Sequence, residues 1–167
     1  MVSLEYISTR GQDTRSYPFT NALLTSTAED GGLLVPKKIP RFSQTDINLL
    51  CVMPYSQRAA FILNRFSPDL TPEMIEQDTR LAYGDNFDHE GIAPVVPLPN
   101  RRGQYMLELW HGPTAAFKDL ALQVMPRMFS RAVEIDNRRR DQAGMSPQNY
   151  LVMAATSGDT GKAALEG

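Results

Sequence analysis

The chain has 167 residues, of which 42% are hydrophobic and 22% charged, the balance of a soluble globular protein with room for one average domain or one small domain plus part of a second. Seventeen lysines and arginines stand against 19 acids, for a formal net charge of -2, which argues against a general binder of nucleic-acid backbones. No apolar run approaches the ~18 residues of a membrane span, the opening Met1-Val2-Ser3-Leu4-Glu5-Tyr6 lacks the basic region and apolar core of a signal peptide, and a single cysteine, Cys51, excludes an internal disulfide framework or thiolate cluster, so composition points to the cytoplasm.

In chain order, residues 4–9 form a β-type run closed by Gly11. Asp30-Gly31-Gly32 is a turn, and the extended segment after it, 33–35, ends at Pro36. Residues 56–66 carry Ala59, Ala60, Ile62, Leu63 and Phe66 on one helical face. Thr71-Pro72-Glu73 starts a second helix with a capping hydroxyl, a proline in the first turn and an acid at the positive dipole end. This helix runs to about Tyr83 and stops at Gly84. Gly91, Pro94 and Pro97 then break the pattern, so residues 1–84 read as one unit, 85–100 as a connection and 101–167 as the start of a second unit.

In that second unit Asn100-Arg101-Arg102-Gly103 is a tight turn and residues 105–110 form a strand. Residues 117–135 form a long helix, with a kink or break predicted at Pro126. Met125 and Met128 belong to its core stripe. Arg138-Arg139-Arg140 reads as cations at the negative helix end rather than a phosphate patch. Residues 150–155 form a buried parallel strand, and a turn of small residues opens a last helix near Thr160. Strand, helix, strand, turn and helix make a right-handed βαβ unit, so the class is α/β. A parallel sheet needs more strands than these, and the last helix is too short to stand alone. Gly167 therefore reads as a cut end within a larger domain, with an open sheet edge that favours self-association.

Two motifs carry chemistry. The first is His111-Gly112-Pro113-Thr114-Ala115-Ala116-Phe117-Lys118-Asp119, where a strand ends and a helix begins, the usual ligand position in open α/β sheets. Stepping about 100° per residue from Phe117 puts Lys118 at the edge of the apolar stripe and Asp119 outward. Partial desolvation and the helix dipole there both favour the neutral amine that imine formation requires. The plainer reading of an isolated lysine is that it snorkels over an apolar edge.

The second motif is Ala155-Thr156-Ser157-Gly158-Asp159-Thr160-Gly161-Lys162. Small residues here let a ligand approach the backbone, and a helix N-terminus offers free N–H groups to an anion. A plain capped turn explains the segment equally well. A phosphate-binding nucleotide loop fails on spacing, since it requires glycine at Thr156 and a hydroxyl at Ala163.

His-Gly-Pro-Thr-x-x-Phe-Lys-Asp followed about 40 residues later by Ser-Gly-Asp-Thr-Gly resembles threonine synthase of the long form with its own N-terminal domain. Tyr6-Ile7-Ser8-Thr9-Arg10-Gly11 and Asp30-Gly31-Gly32-Leu33 resemble that family's opening segment. The resemblance implies a small N-terminal α+β domain followed by the first βαβ portion of a tryptophan-synthase-β-like (fold type II) domain that binds pyridoxal 5'-phosphate (PLP), truncated at Gly167. It implies that Lys118 holds PLP as a Schiff base and acts as the catalytic acid and base. Asp159 lies beside the cofactor, and Ser157, Gly158, Asp159, Thr160 and Gly161 receive the substrate carboxylate. The implied reaction converts O-phospho-L-homoserine and water into L-threonine and phosphate by γ-elimination and β-addition of water. The isolated 1–167 chain is expected to bind PLP weakly and to be inactive. Alternatives are a threonine-synthase-like lyase that releases a 2-oxo acid and ammonia, and a non-catalytic truncated domain. His111 is either near the cofactor or a structural hydrogen-bonding residue. His89, between Asp88 and Glu90 with no second histidine near it in sequence, reads as part of a solvated loop rather than a metal site.

Overall fold

The computed structural model describes residues 4–167. Met1, Val2 and Ser3, which begin the segment tested above for a leader, lie outside them. Strand β1 (Tyr6–Ser8) pairs antiparallel with β2 (Leu34–Pro36), Ile7 opposite Val35. The turn predicted at Asp30 organises this pair. Gly31 takes φ +73°, and the Asp30 carboxylate accepts from the Ser8 hydroxyl and the amides of Gln12, Asp13 and Gly32. The Ser8 hydroxyl, then the Asp13 amide, hold that carboxyl down at about 2.

Two helices that periodicity did not reveal follow β1 and β2 respectively. Helix α1 (Phe19–Leu24) has only six residues, too few for a repeat to show, and the Asp69 carboxylate anchors it by accepting from the Thr20 amide and hydroxyl. Helix α2 (Gln44–Val52) buries no residue, so it has no apolar stripe. Its sequence signature is a capping box, in which Ser43 and Asp46 satisfy each other's backbone amides.

The two predicted helices are present as α3 (Tyr55–Phe66) and α4 (Pro72–Ala82), the latter capped by the Thr71 hydroxyl. Their facing stripes supply Ala60, Ile75 and Ala82, and the turn between them Leu70, to a core completed by Val124 and Met128. Truncating Ile75 to alanine at this site is worth about 2–5 kcal/mol.

Strand β3 (Val95–Pro97) lies within residues 85–100 and pairs antiparallel with β4 (Tyr105–Leu107) around the predicted turn, where Asn100 and Gly103 take positive φ. Strand β4 is shorter than the predicted 105–110; beyond Leu107 a single further bond joins the Glu108 amide to the Pro94 carbonyl.

The predicted long helix is two helices. Helix α5 (Asp119–Leu122) ends at Gln123, and α6 (Met125–Gln142) starts with Pro126 in its first turn, where the missing N–H costs nothing. The break changes the helical phase, so Met128 is buried as expected but Met125 is exposed. The Tyr83 hydroxyl donates to the Leu120 carbonyl, and the Asn86 amide bridges the Ala82 carbonyl and the Gln123 side chain, fixing the break against the end of α4. In the arginine run Arg138 donates to the Glu134 carbonyl, Arg139 to the Asn21 side chain and Arg140 to the Ser146 carbonyl.

Residues 150–155, predicted as a buried strand, form no regular element and are unpaired among the described residues, with Leu151 83%, Val152 72% and Met153 85% exposed. A strand is defined by its neighbour, and β4 pairs with β3 instead. The parallel βαβ pairing is therefore not closed among the described residues. The final helix, α7 (Asp159–Glu166), begins one residue before the predicted Thr160. The described chain is mixed helix and strand in two antiparallel pairs.

Candidate active site

After β4 the chain turns at His111-Gly112 and coils through Phe117 before α5. The carboxylate of Asp119 shapes this coil: it is 1% exposed and accepts from the Thr114 amide at 2.9 Å and the Thr114 hydroxyl at 2.7 Å. Asp119 was predicted to face outward; it points inward because α5 starts at Asp119, so helical phase counted from Phe117 does not apply. Phe117 is correspondingly exposed. Gly112 packs on this carboxylate so closely that a Cβ there would lie 2.5 Å from Asp119 Cβ and Oδ2. Ala115 takes φ +58°, a left-handed turn that costs an alanine about 1 kcal/mol. The result holds Lys118 at the lip of α5 with its side chain 26% exposed and its Nζ 4.3 Å from the centre of the Phe117 ring.

The small-residue motif lies against this coil. The Thr156 hydroxyl accepts from the amides of Gly158 and Gly161, which caps α7 from three residues before its first residue. Gly161 leaves room for that hydroxyl, which a Cβ would approach to 2.8 Å, and Gly158 takes φ +138°. The amides of Asp159 and Thr160 have no partner among the described residues. Lys118 Nζ stands 4.0 Å from Asp159 Oδ2. Lys162 Nζ donates to the Thr114 carbonyl at 3.4 Å. The structure thus brings Lys118 and Asp159 together, with Ser157, Gly158 and Thr160 exposed on the same loop. Asp119, Thr156 and Lys162, the residues that build this arrangement, were not singled out by sequence reasoning. The legible signals were Thr156 five residues before Gly161 and a carboxylate at a helix start.

Both nitrogens of His111 are engaged by carboxylates, which places it in a structural network. Tertiary structure also supplies the second histidine that sequence proximity lacked, since the His89 and His111 rings lie 4.9 Å apart. Among the described residues no group of three or more His, Cys, Asp or Glu side chains is arranged to hold a metal. A cleft of about 360 Å³ between α3 and α4, lined by Met53, Gln57, Asn64, Glu76 and Arg80 among others, contains none of the motif residues.

Residues 5–83 match the family model described as "Threonine synthase N terminus". Threonine synthase from Pseudomonas aeruginosa is 36% identical over 165 residues, covering 98% of this chain and 32% of that protein. Human threonine synthase-like 1 is 38% identical over 152 residues, covering 89% of this chain and 19% of that protein. The crystal structure of PLP-bound threonine synthase from Brucella melitensis superposes with a TM-score of 0.82 at 36% identity, covering 98% of this chain and 32% of that one. The yeast threonine synthase structure superposes with a TM-score of 0.84 at 29% identity, over 98% of this chain and 33% of that one.

The chain is similar to the N-terminal portion of threonine synthases. It spans about a third of the length of these threonine synthases and about a fifth of the threonine synthase-like 1 protein. Its mixed helix-and-strand architecture matches the N-terminal portion of the threonine synthase structures. Among the described residues no helix is long and apolar enough to cross a membrane.

Proposed function

We propose that these 167 residues are the N-terminal part of a cytoplasmic, PLP-dependent threonine synthase that converts O-phospho-L-homoserine and water into L-threonine and phosphate, with Lys118 as its catalytic lysine. The observation that carries this reading is the meeting of Lys118 with the small-residue loop across about 40 residues of chain. We divide the chain into an N-terminal domain (1–84), a connection (85–100) and the start of the catalytic domain (101–167), a division supported by a family match that ends at residue 83.

The residues present fit the cofactor and the substrate. A primary amine at a partly shielded lip suits the cofactor's aldehyde, and the unpartnered amides of Asp159 and Thr160 at the start of α7 suit an anion such as the substrate carboxylate. Bound PLP supplies an electron sink for charge developing on the substrate carbons. Lys118 anchors the cofactor and, once displaced by the substrate amine, carries protons to and from the substrate α- and β-carbons. Asp159, 4.0 Å from Lys118 Nζ, orients that amine and lies beside the cofactor. Ser157, Gly158, Asp159, Thr160 and Gly161 receive the substrate carboxylate.

Borohydride reduction of a full-length enzyme carrying this sequence with PLP, followed by peptide mapping, tests the assignment. A dominant adduct on Lys118 that disappears in Lys118→Ala supports it; label spread over exposed lysines and unchanged in that variant overturns it. We also propose that residues 1–167 alone bind PLP weakly, show no turnover and self-associate through the unpaired segment at 150–155.

The same two motifs leave one second reading, a threonine-synthase-like lyase that releases a 2-oxo acid and ammonia. Product analysis on a full-length enzyme separates the two: threonine and phosphate, or oxo acid and ammonia.

A further inference from the structure

His111 ends the β3–β4 hairpin and opens the lysine-bearing coil. Its side chain is 12% exposed, with Nδ1 2.6 Å from Asp88 Oδ1 and Nε2 2.7 Å from Glu108 Oε2. The Asp88 amide also donates to the His111 carbonyl at 2.9 Å. A neutral imidazole has one N–H, so it would turn a lone pair toward one of these two carboxylates. Only the imidazolium donates to both.

We propose that His111 is held as an imidazolium clasp between Asp88 in the connection and Glu108 beyond β4, and that this clasp is a positioning device for the coil carrying Lys118. The groups facing the ring are Asp88 and His89 from the connection, Glu108 from the strand end, and Trp110 at 5.6 Å. His89 accepts from the Gly91 amide at Nδ1, and Asp119, beyond Gly112, is occupied by Thr114. Neither competes for the His111 nitrogens.

The Glu108 and then the Asp88 hydrogen bonds raise the His111 pKa above 6.5, against the opposing pull of burial. A raised value in the folded chain means the clasp is complete below the free-histidine value of ~6.5 and is lost as pH rises through the folded value. The remaining N–H then stays with Glu108, whose side chain is 20% exposed, and the arm to Asp88, 76% exposed, opens to water. The clasp is independent of the proposed chemistry; its consequence for Lys118 rests on that reading.

The test is a 15N NMR titration of the imidazoles in the 167-residue chain, with His89→Asn to assign the two histidines. Both His111 nitrogens are expected to be protonated at pH 6.5, with a midpoint above 6.5. Asp88→Asn and Glu108→Gln should each lower that midpoint, and exchange of the Asp88 amide should quicken through it. A midpoint at or below 6.5, or one indifferent to both variants, overturns the clasp. Borohydride labelling of a full-length enzyme carrying this sequence with PLP at each pH reads the consequence separately. Selective labelling of Lys118 that falls through the His111 midpoint, and does not fall there in Asp88→Asn, supports the positioning role; labelling with the same pH profile in both proteins overturns it. Unselective labelling at every pH, with the raised midpoint intact, overturns the Lys118 assignment and leaves the clasp standing.

Discussion

Lys162 Nζ reaches the carbonyl of Thr114 at 3.4 Å, a bond across 48 residues that joins the helix after the small-residue loop to the lysine-bearing coil. The same threonine gives its amide and hydroxyl to Asp119. Thr114 is therefore the point at which two loops, each shaped locally, are set against each other.

Replacing that lysine should loosen the junction without unfolding the chain. The bond is part-exposed and worth about 1 kcal/mol at most. Lys162→Met is expected to speed amide exchange at Gly158 and Gly161, the amides that the Thr156 hydroxyl holds, while the melting temperature barely moves. A fall in melting temperature as large as that of a core truncation would contradict this weighting.

Gly112 tests how tightly the coil is built. In Gly112→Ala the new methyl displaces the Asp119 carboxylate, exposing Thr114 to the loss of both bonds. We expect a destabilisation of ~2 kcal/mol, measured by urea unfolding. In Asp119→Ala the methyl gains room, so the double variant should cost clearly less than the sum of the two single changes.

Ala115 offers a change in the opposite direction. Its φ of +58° suits glycine, so Ala115→Gly should stabilise the chain by up to about 1 kcal/mol, seen as a higher melting temperature. An unchanged or lower value would place the left-handed turn outside the folded ensemble.

Arg131 ties α6 to α4 through Asp78, with contacts of 3.2 and 3.4 Å to a carboxylate that is almost fully buried. Arg131→Met strands that carboxylate and should cost ~3 kcal/mol, at the low end for a buried pair because the arginine is part-exposed. Adding Asp78→Asn should recover part of the loss.

The Asp30 turn predicts acid behaviour. Its folded value is depressed to about 2, so its contribution is present above the ordinary carboxylate value of 3.8 and fades as pH falls through about 2. Amide exchange at Gln12, Asp13 and Gly32 should quicken over that window, and in Asp30→Asn it should already be fast at neutral pH.

Much of this architecture was legible because its determinants are local. Helices α3 and α4 follow from apolar spacing and the Thr71-Pro72 start, and the Asp30 and residue 100–103 turns from their glycines and asparagine. Helix α2 was hidden because it buries nothing, although Ser43 and Asp46 carried its capping signal. The two motifs, and with them Lys118 and the Ser157–Gly161 loop, stand out as residue strings, since a reactive amine and a backbone cradle each need particular residues in a row.

The sequence by itself determined which segments turn, which coil, and which family the motifs resemble. It did not determine that Asp119 faces inward, that His111 sits between Asp88 and Glu108, or that Lys162 meets Thr114. Periodicity carries phase only within an unbroken helix, and the left-handed Ala115 before α5 and the break at Gln123 after it reset that phase. Pairing across 23 or 48 residues depends on where the intervening turns aim the chain, which is settled only when the core against α4 and α6 has packed.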